Sequence, residues 1–245
     1  MVMDKILMIR KESVMPHSFF FEENLPDNKQ FTLSEDTSRH IAQVLRMKNG
    51  DEISITNGQG KILSAEIINT DKKKTEIKVL SEQLISPAEP NIAIAISLIK
   101  NNNRFEWFIE KVTEMGVSVI IPMICKRTEK NHFRGERIKS IAISAMLQSG
   151  QAWLPQISSP VSIDEIIKDK RYSQKFIAHC IKEEKKNLTD LVDKKSSRII
   201  LIGPEGDFTE EEVRGAIQQN FIPITLGDTR LRTETAGLVA AVLLK

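Results

Sequence analysis

Two glycine-containing segments near the C-terminus carry the residues most suited to chemistry. The first is GPEG at 203–206, which follows a short apolar run at 197–202 typical of a buried strand. Glycine allows a close approach of the backbone to a ligand, and such a loop before a helix often binds phosphate. Here three glutamates at 210–212 occupy the first turn of the next helix and would repel a phosphate. The segment also lacks GxxxxGK[ST] and GxGxxG spacing, so the sequence predicts a ligand loop of another kind.

The second segment is LGDTRLRTETA at 226–236, which follows another strand pattern at 222–226. Gly227 opens this loop, and a helix is expected to begin near Thr233. From Ala236 to Leu244 that helix is apolar on every side, so every face needs to be covered. We therefore expect it to lie inside the fold, against a second subunit, or both.

The elements that must position these loops form an alternating pattern. Thr209 and Glu212 predict a capping box, which starts the helix after the first loop. Strand and helix patterns alternate from residue 90 onward, at 92–99, 104–115, 117–124, 136–151, 162–170 and 175–180. This alternation is typical of an α/β domain with a mostly parallel sheet.

The first part of the chain has a different pattern. A helix begins at Ser34, and its residues His40, Ile41, Val44 and Leu45 form one broad face. Glycine and asparagine turns then separate the strand patterns that predict a small β-rich domain, at 52–56, 61–68 and 75–80.

The segment SPAEP at 86–90 predicts the linker, because its two prolines resist both helix and central strand. We therefore expect one domain at 15–86 and another at 90–245.

Composition sets broad limits on function. The 35 basic and 33 acidic residues nearly cancel, so a nucleic-acid surface requires segregation of charge. Cys125 and Cys180 have neither CxxC nor metal-like spacing, so we expect reduced core thiols, no metal site and a cytoplasmic protein. Because no apolar run is long enough to span a membrane and no signal peptide stands out, we expect no membrane partner.

GPEGDFTEEE followed by LGDTRLRTETA resembles the 16S ribosomal RNA uridine-N3 methyltransferases, the RsmE family of the knotted SPOUT class. KNNNRFEWFIEKVTEMGVSVIIP at 100–122 resembles the same family. His40 to Arg46, with the Gly-Asp turn after it, resembles the family's PUA-like RNA-binding module. MPHSFFF at 15–21 looks like its usual start, so residues 1–14 are expected to be an extension or a misassigned start.

The resemblance implies a small N-terminal β-rich PUA-like domain at 15–86. It also implies a SPOUT-type α/β methyltransferase domain at 90–245 with a C-terminal trefoil knot, and a homodimer. The implied activity is S-adenosylmethionine-dependent N3-methylation of a specific uridine. The implied partner is 16S ribosomal RNA, free or within the small ribosomal subunit.

The resemblance also implies roles for individual residues. Arg232 is expected to stabilise negative charge on the uracil, and Glu234 to orient Arg232 or accept a proton, with water as the alternative base. A structural pair is the alternative for both. The residues expected to bind the cofactor are Ile202, Gly203, Pro204, Glu205, Gly206, Leu226, Gly227, Leu231, Arg232, Thr235 and Ala236. Those expected to contact RNA are Arg39, Arg46, Arg127 and Lys111. A solvated cationic helix face is the equal alternative for Arg39 and Arg46, and a structural ion pair is the alternative for Lys111.

Two other functions remain open. One is a non-catalytic RNA-binding protein with the same fold, which the complete LRTETA motif disfavours. The other is a SPOUT methyltransferase acting on transfer RNA, which the N-terminal β-rich module disfavours. Leu147 and Gln151 stand where the family usually has Glu and Arg. This departure puts in question any polar network or RNA contact made by that pair.

Overall fold

The computed structural model describes residues 18–129, 132–181 and 185–245. The chain divides into two compact units between Ile85 and Ser86, and each is described by itself. Residues 1–14 and the first three residues of the predicted domain at 15–86 lie outside the described residues. Within the described ranges, no helix combines the length and the apolar character that crossing a membrane requires.

The N-terminal unit is a β-sheet with one helical segment. Its elements are β1 Phe19–Phe21, β2 Gln30–Thr32, α1 Glu35–Arg39 continued by a π-helix at His40–Leu45, β3 Glu52–Thr56, β4 Lys61–Asn69 and β5 Glu76–Leu84. Among the described residues, the strands pair in the order β1-β3-β4-β5-β2, antiparallel except for β1 with β3. The three predicted strands are confirmed, whereas β1 and β2 were not predicted.

The helical segment begins at Ser34 as predicted, and most of the predicted face is exposed in the described structure. Of the four residues of that face, only Ile41 is buried, while Val44 and Leu45 are 66% and 44% exposed. The helix changes at His40 to the wider π form, which contains more residues per turn than an α-helix. The 3.6-residue spacing behind the prediction therefore fails after this point.

The C-terminal unit alternates strands and helices. Its elements are β6 Ile92–Ser97, α2 Asn102–Glu114, β7 Val119–Ile124, α3 Gly135–Gln148, β8 Gln156–Ile157, β9 Val161–Ser162, α4 Ile163–Ile166, β10 Gln174–Ala178, β11 Lys186–Asn187, a 3₁₀ turn at Leu188–Asp190, β12 Arg198–Ile202, α5 Glu210–Gln218, β13 Ile222–Thr225 and α6 Thr233–Leu244. In the described part of the chain these strands form a parallel sheet in the order β11-β13-β10-β12-β6-β7-β8, and β9 also pairs with β7. The predicted α/β class is confirmed.

Two apolar clusters cover the two faces of the parallel sheet. Successive side chains of a strand point to opposite faces, so even-numbered residues of β6 and β12 pack with α2, α3 and α6. Odd-numbered residues of the same strands pack with α4 and α5. Gly237 of α6 allows close packing on α2, because a Cβ there would stand 2.5 Å from a ring carbon of Phe108.

Among the residues that the structure describes, none covers one face of α6 fully. Val242 is 56% exposed, and Leu238 and Val239 on the same side are half-buried. The described part of the single chain therefore covers α6 only in part, and coverage by a second subunit stays a prediction.

Candidate active site

A crevice of about 560 Å³ opens at the carboxyl ends of β10, β12 and β13. These three strands are neighbours in the sheet, with β10 between the other two. Ligands of open α/β sheets bind at the carboxyl ends of strands, and this volume suits a small molecule. The crevice is therefore the candidate cofactor site.

The two predicted glycine segments meet at this crevice. Thr233 Oγ1 donates a hydrogen bond to the carbonyl of Gly203 at 3.0 Å, and Arg230 Nη2 donates to the carbonyl of Glu205 at 3.3 Å. Most residues predicted to bind the cofactor line the crevice, namely Ile202, Gly203, Pro204, Glu205, Leu226, Gly227, Leu231, Arg232 and Ala236. Gly206 and Thr235 lie outside its lining.

The two lining glycines have different roles. Gly227 has a φ of +140°, and in the described part of the chain no atom beyond its two neighbouring residues lies within 4 Å of the position of a Cβ there. A Cβ on Gly203 would instead stand 3.0 Å from two ring carbons of Phe208. The space beside Gly227 is therefore open, whereas the packing of Phe208 leaves little room for a side chain at Gly203.

The glutamates at 210–212, which the sequence placed beside the ligand loop, do not line the crevice. Glu211 pairs with the Lys126 ammonium. Glu212 is buried and accepts hydrogen bonds from the backbone N–H groups of Thr209 at 2.7 Å and Lys126 at 2.8 Å. The Thr209 hydroxyl accepts from the N–H of Glu212, so the predicted capping box is confirmed.

Other charged side chains line the crevice, and among the described residues the acidic and basic ones are equal in number. Its acidic side chains are Glu205, Asp207, Asp228 and Glu234, and its basic side chains are Arg104, Lys185, Arg230 and Arg232. Such a lining suits a ligand that carries charges of both signs.

Arg232 and Glu234 do not interact as the sequence predicted. Glu234 is buried, and its Oε1 lies 3.7 Å from Nε of Arg104 at the start of α2. This pairing arises because α6 packs against α2, whereas Arg232 precedes the first turn of α6. In the described part of the chain the exposed Arg232 guanidinium has no hydrogen-bond or ion-pair partner. Glu234 therefore pairs with Arg104 and not with Arg232, and the roles predicted for both in the reaction stay predictions.

The sequence interpretation missed the contribution of β10. Ala178, His179 and Cys180 line the crevice at the end of this strand. The backbone N–H of Cys180 donates to Asp207 Oδ2 at 2.8 Å, which ties β10 to the first loop. The sequence predicted a strand at 175–180, but it did not show that this strand lies between β12 and β13 in the sheet.

The prediction of two core thiols is half wrong. Cys125 is buried, but Cys180 is exposed. Burial, together with the charge of Glu212, raises the pKa of the Cys125 thiol to about 12. No group of His, Cys, Asp and Glu side chains suited to a metal ion occurs among the residues that the structure describes.

The sequence pattern of the RNA methyltransferase domain family matches residues 87–245, and that of the RNA methyltransferase PUA domain matches residues 33–80. The chain belongs to the RNA methyltransferase family. A similar relative is the ribosomal RNA small subunit methyltransferase E of Buchnera aphidicola, which is 31% identical over 92% of this chain and 91% of its own length.

Solved structures of similar proteins support the same family. A probable rRNA-methyltransferase from Porphyromonas gingivalis is 34% identical and has a TM-score of 0.85, over 92% of this chain and 95% of that one. A ribosomal RNA small subunit methyltransferase E from Neisseria gonorrhoeae, bound to S-adenosyl methionine, is 29% identical. Its TM-score is 0.81, over 92% of this chain and 95% of that one.

The residues predicted to bind RNA in this methyltransferase lie in different environments. Arg39 pairs with Glu35 at 2.7 Å within its own helix. Lys111 lies 2.7 Å from Glu110 and 2.9 Å from Glu114, and these hydrogen bonds raise its pKa. Lys111 therefore forms the structural ion pair that was its alternative.

Arg46 and Arg127 differ from these two. Arg46 is exposed, has a φ of +54° and has no ion-pair partner in the described ranges, so it remains a candidate for a phosphate contact. Arg127 Nη1 instead donates to the carbonyl of Gly206 at 2.8 Å. The structure thus places Arg127 on the first glycine loop.

Gln151, one of the two departures from the family pattern, has a structural role. Its Nε2 donates to the carbonyls of Thr113 at 2.8 Å and Glu114 at 3.0 Å, which lie at the C-terminal end of α2. Gln151 thereby caps this helix with a neutral side chain.

Proposed function

We propose that this chain transfers a methyl group from S-adenosylmethionine to N3 of a specific uridine in 16S ribosomal RNA. The observation that carries the proposal is the meeting of the loops at 203–206 and 226–236 around one crevice. Relatives across most of the chain are ribosomal RNA small subunit methyltransferases, and a similar structure is bound to S-adenosyl methionine. The substrate is 16S ribosomal RNA or the small ribosomal subunit, in the cytoplasm.

The lining of the crevice fits the proposed cofactor. Ile202, Leu226 and Leu231 supply apolar surface for a purine ring. Gly227 gives the backbone close access, because no side chain fills the space beside it. The mixture of acidic and basic side chains suits the sulfonium and the charged amino-acid tail. When bound, S-adenosylmethionine supplies an electrophilic methyl group on its sulfonium.

The chain's own residues then contribute position and charge. In-line methyl transfer depends on alignment, which the two loops impose by holding one another through Thr233 and Gly203. The free guanidinium of Arg232 stabilises negative charge on the uracil as the N3 proton leaves. Glu234 is engaged by Arg104, so water is the proposed proton acceptor.

We also propose that the chain is a homodimer whose interface includes the uncovered face of α6. This face carries Leu238, Val239 and Val242, of which Val242 is 56% exposed. Apolar side chains on one side of an otherwise buried helix are typical of an interface. The N-terminal domain is proposed to span 15–86 and the methyltransferase domain 90–245, in keeping with the compact units that meet at Ile85 and Ser86.

The proposed fold of the second domain includes a C-terminal trefoil knot. Its support is the contact between the loop after β12 and the start of α6 at Thr233, with β10 lying between β12 and β13. An experimental chain trace tests this proposal. A path in which α6 could be withdrawn without passing through another loop would exclude the knot.

Nucleoside mass spectrometry of ribosomal RNA from a deletion strain tests the activity. N3-methyluridine should disappear from the small-subunit RNA and return with the wild-type gene. Arg232→Ala should not restore it, although the purified variant should keep much of its affinity for S-adenosylmethionine. Persistence of the modification in the deletion strain, or its loss from transfer RNA alone, would overturn the proposed function.

A further inference from the structure

The geometry points to Arg127 as a positioning residue that holds the first glycine loop in its cofactor-binding shape. This inference rests on the proposed S-adenosylmethionine site. Arg127 Nη1 donates to the carbonyl of Gly206 at 2.8 Å and to that of Phe208 at 3.3 Å. One guanidinium nitrogen thus bridges both sides of the turn at Asp207, which has a φ of +63°.

The loop presents two faces, and Arg127 lies on the face away from the crevice. Glu205 and Asp207 line the crevice, whereas the intervening Gly206 does not. A Cβ on Gly206 would stand 3.4 Å from Cβ of Arg127, so the arginine side chain lies against the glycine. Gly206, which was predicted to bind the cofactor, packs against the side chain of Arg127.

The segment that carries Arg127 is itself fixed. The N–H of Lys126 donates to the buried Glu212 at 2.8 Å. The hydroxyl of Thr128 accepts from the N–H of Cys125 at 2.8 Å. Both neighbours of Arg127 are therefore anchored in the methyltransferase domain, so its guanidinium is held in place before a cofactor arrives.

This arrangement competes with the predicted contact to RNA phosphate. Hydrogen bonds from a charged donor are stronger than neutral ones, and the donor that Arg127 uses here serves two carbonyls. A loop that is already ordered loses less conformational entropy when it binds a ligand. Removing the donors should therefore weaken binding of S-adenosylmethionine without changing the contacts to RNA.

The test compares Arg127→Met, Arg127→Lys and the matched control Arg134→Ala. Methionine keeps an unbranched stem against Gly206 but removes the donors, whereas lysine keeps one compact donor. Arg134 lies on the same connection between β7 and α3 as Arg127, but its Nε donates to His132 on that connection. Calorimetry measures S-adenosylmethionine binding without RNA, and filter binding measures RNA affinity against salt concentration.

The expected result is S-adenosylmethionine affinity about tenfold lower for Arg127→Met, equivalent to about 1.4 kcal/mol. Arg127→Lys should lie between this variant and wild type, and Arg134→Ala should equal wild type. The salt dependence of RNA binding should be unchanged in both Arg127 variants. Thermal unfolding without ligand should also be close to wild type, because Arg127 is exposed.

Two results would overturn the inference alone. One is cofactor affinity of Arg127→Met within twofold of wild type. The other is a slope of log K against log salt that falls by about one, as the loss of a phosphate contact would cause. Failure of the proposed function has a different signature, because wild type and Arg134→Ala would then also fail to bind S-adenosylmethionine, and the inference would fall with it.

Discussion

Gly203→Ala tests how the cofactor loop is held in place. Gly203 lines the crevice, but a Cβ at this position would stand 3.0 Å from both Cδ2 and Cε2 of Phe208. Phe208 is 1% exposed and belongs to the core between the sheet and α5. The added methyl group should therefore press on the core and not on the ligand.

The size of the effect follows from this contact. Carbon atoms in non-bonded contact rest at about 3.5–4.0 Å, so the Phe208 ring has to move by about half an ångström. Overpacking of a well-packed core costs about 1–3 kcal/mol. We expect the free energy of unfolding of the cofactor-free protein to fall by this amount. Cofactor affinity should fall as well, because the Phe208 carbonyl accepts from Arg127.

Urea denaturation without S-adenosylmethionine measures the first effect, and calorimetry measures the second. Phe208→Leu provides the control, because a smaller side chain leaves room for the methyl group. The double variant should lose less stability than the sum of the single variants. Lost cofactor binding with an unchanged free energy of unfolding would refute the reasoning, since the methyl group would then point into the crevice.

Three further predictions concern the thiols, the dimer and RNA. At neutral pH iodoacetamide should modify exposed Cys180 and spare Cys125, because burial raises the pKa of the Cys125 thiol to about 12. Bound S-adenosylmethionine should slow the reaction of Cys180, which lines the crevice. Peptide mass spectrometry measures this rate, and equal rates for Cys180 with and without S-adenosylmethionine would contradict the proposed site. Val239→Glu should destabilise the dimer by about 3–5 kcal/mol, because it buries an unpaired charge at the interface. The chain itself should stay folded, since Val239 is only half-buried in the single chain. A wild-type protein that sediments as a monomer at micromolar concentration would contradict the proposed dimer. Arg46→Ala should lower the salt dependence of RNA binding by about one phosphate contact while cofactor affinity stays unchanged, and a slope equal to wild type would exclude the contact.

The two glycine loops could be predicted because their signals are local. The capping box links Thr209 to Glu212, three residues apart, and its two hydrogen bonds are present at 2.7 and 3.2 Å. The glycines of both loops and the apolar strands before them can likewise be recognised from short segments of the sequence. Their meeting at Gly203 and Thr233 was implied by resemblance and is confirmed by a hydrogen bond.

The remaining parts of the site depend on contacts between distant segments. Arg104 reaches Glu234 because α2 packs against α6, and Arg127 reaches Gly206 because the end of β7 lies beside the loop after β12. Neither pairing can be predicted from the spacing of these residues in the sequence. The change to a π-helix at His40 was also not predicted, because the sequence interpretation assumed the periodicity of an α-helix throughout this segment.

Methyl transfer in vitro tests the central claim most directly. Purified protein is incubated with S-adenosylmethionine labelled in its methyl group and with small ribosomal subunits, or their extracted RNA, from a deletion strain. The RNA is then digested to nucleosides and separated by chromatography with mass detection. We expect label in N3-methyluridine derived from the small-subunit RNA. Label on another base, label in transfer RNA added to the same reaction, or no label above the enzyme-free blank would contradict it.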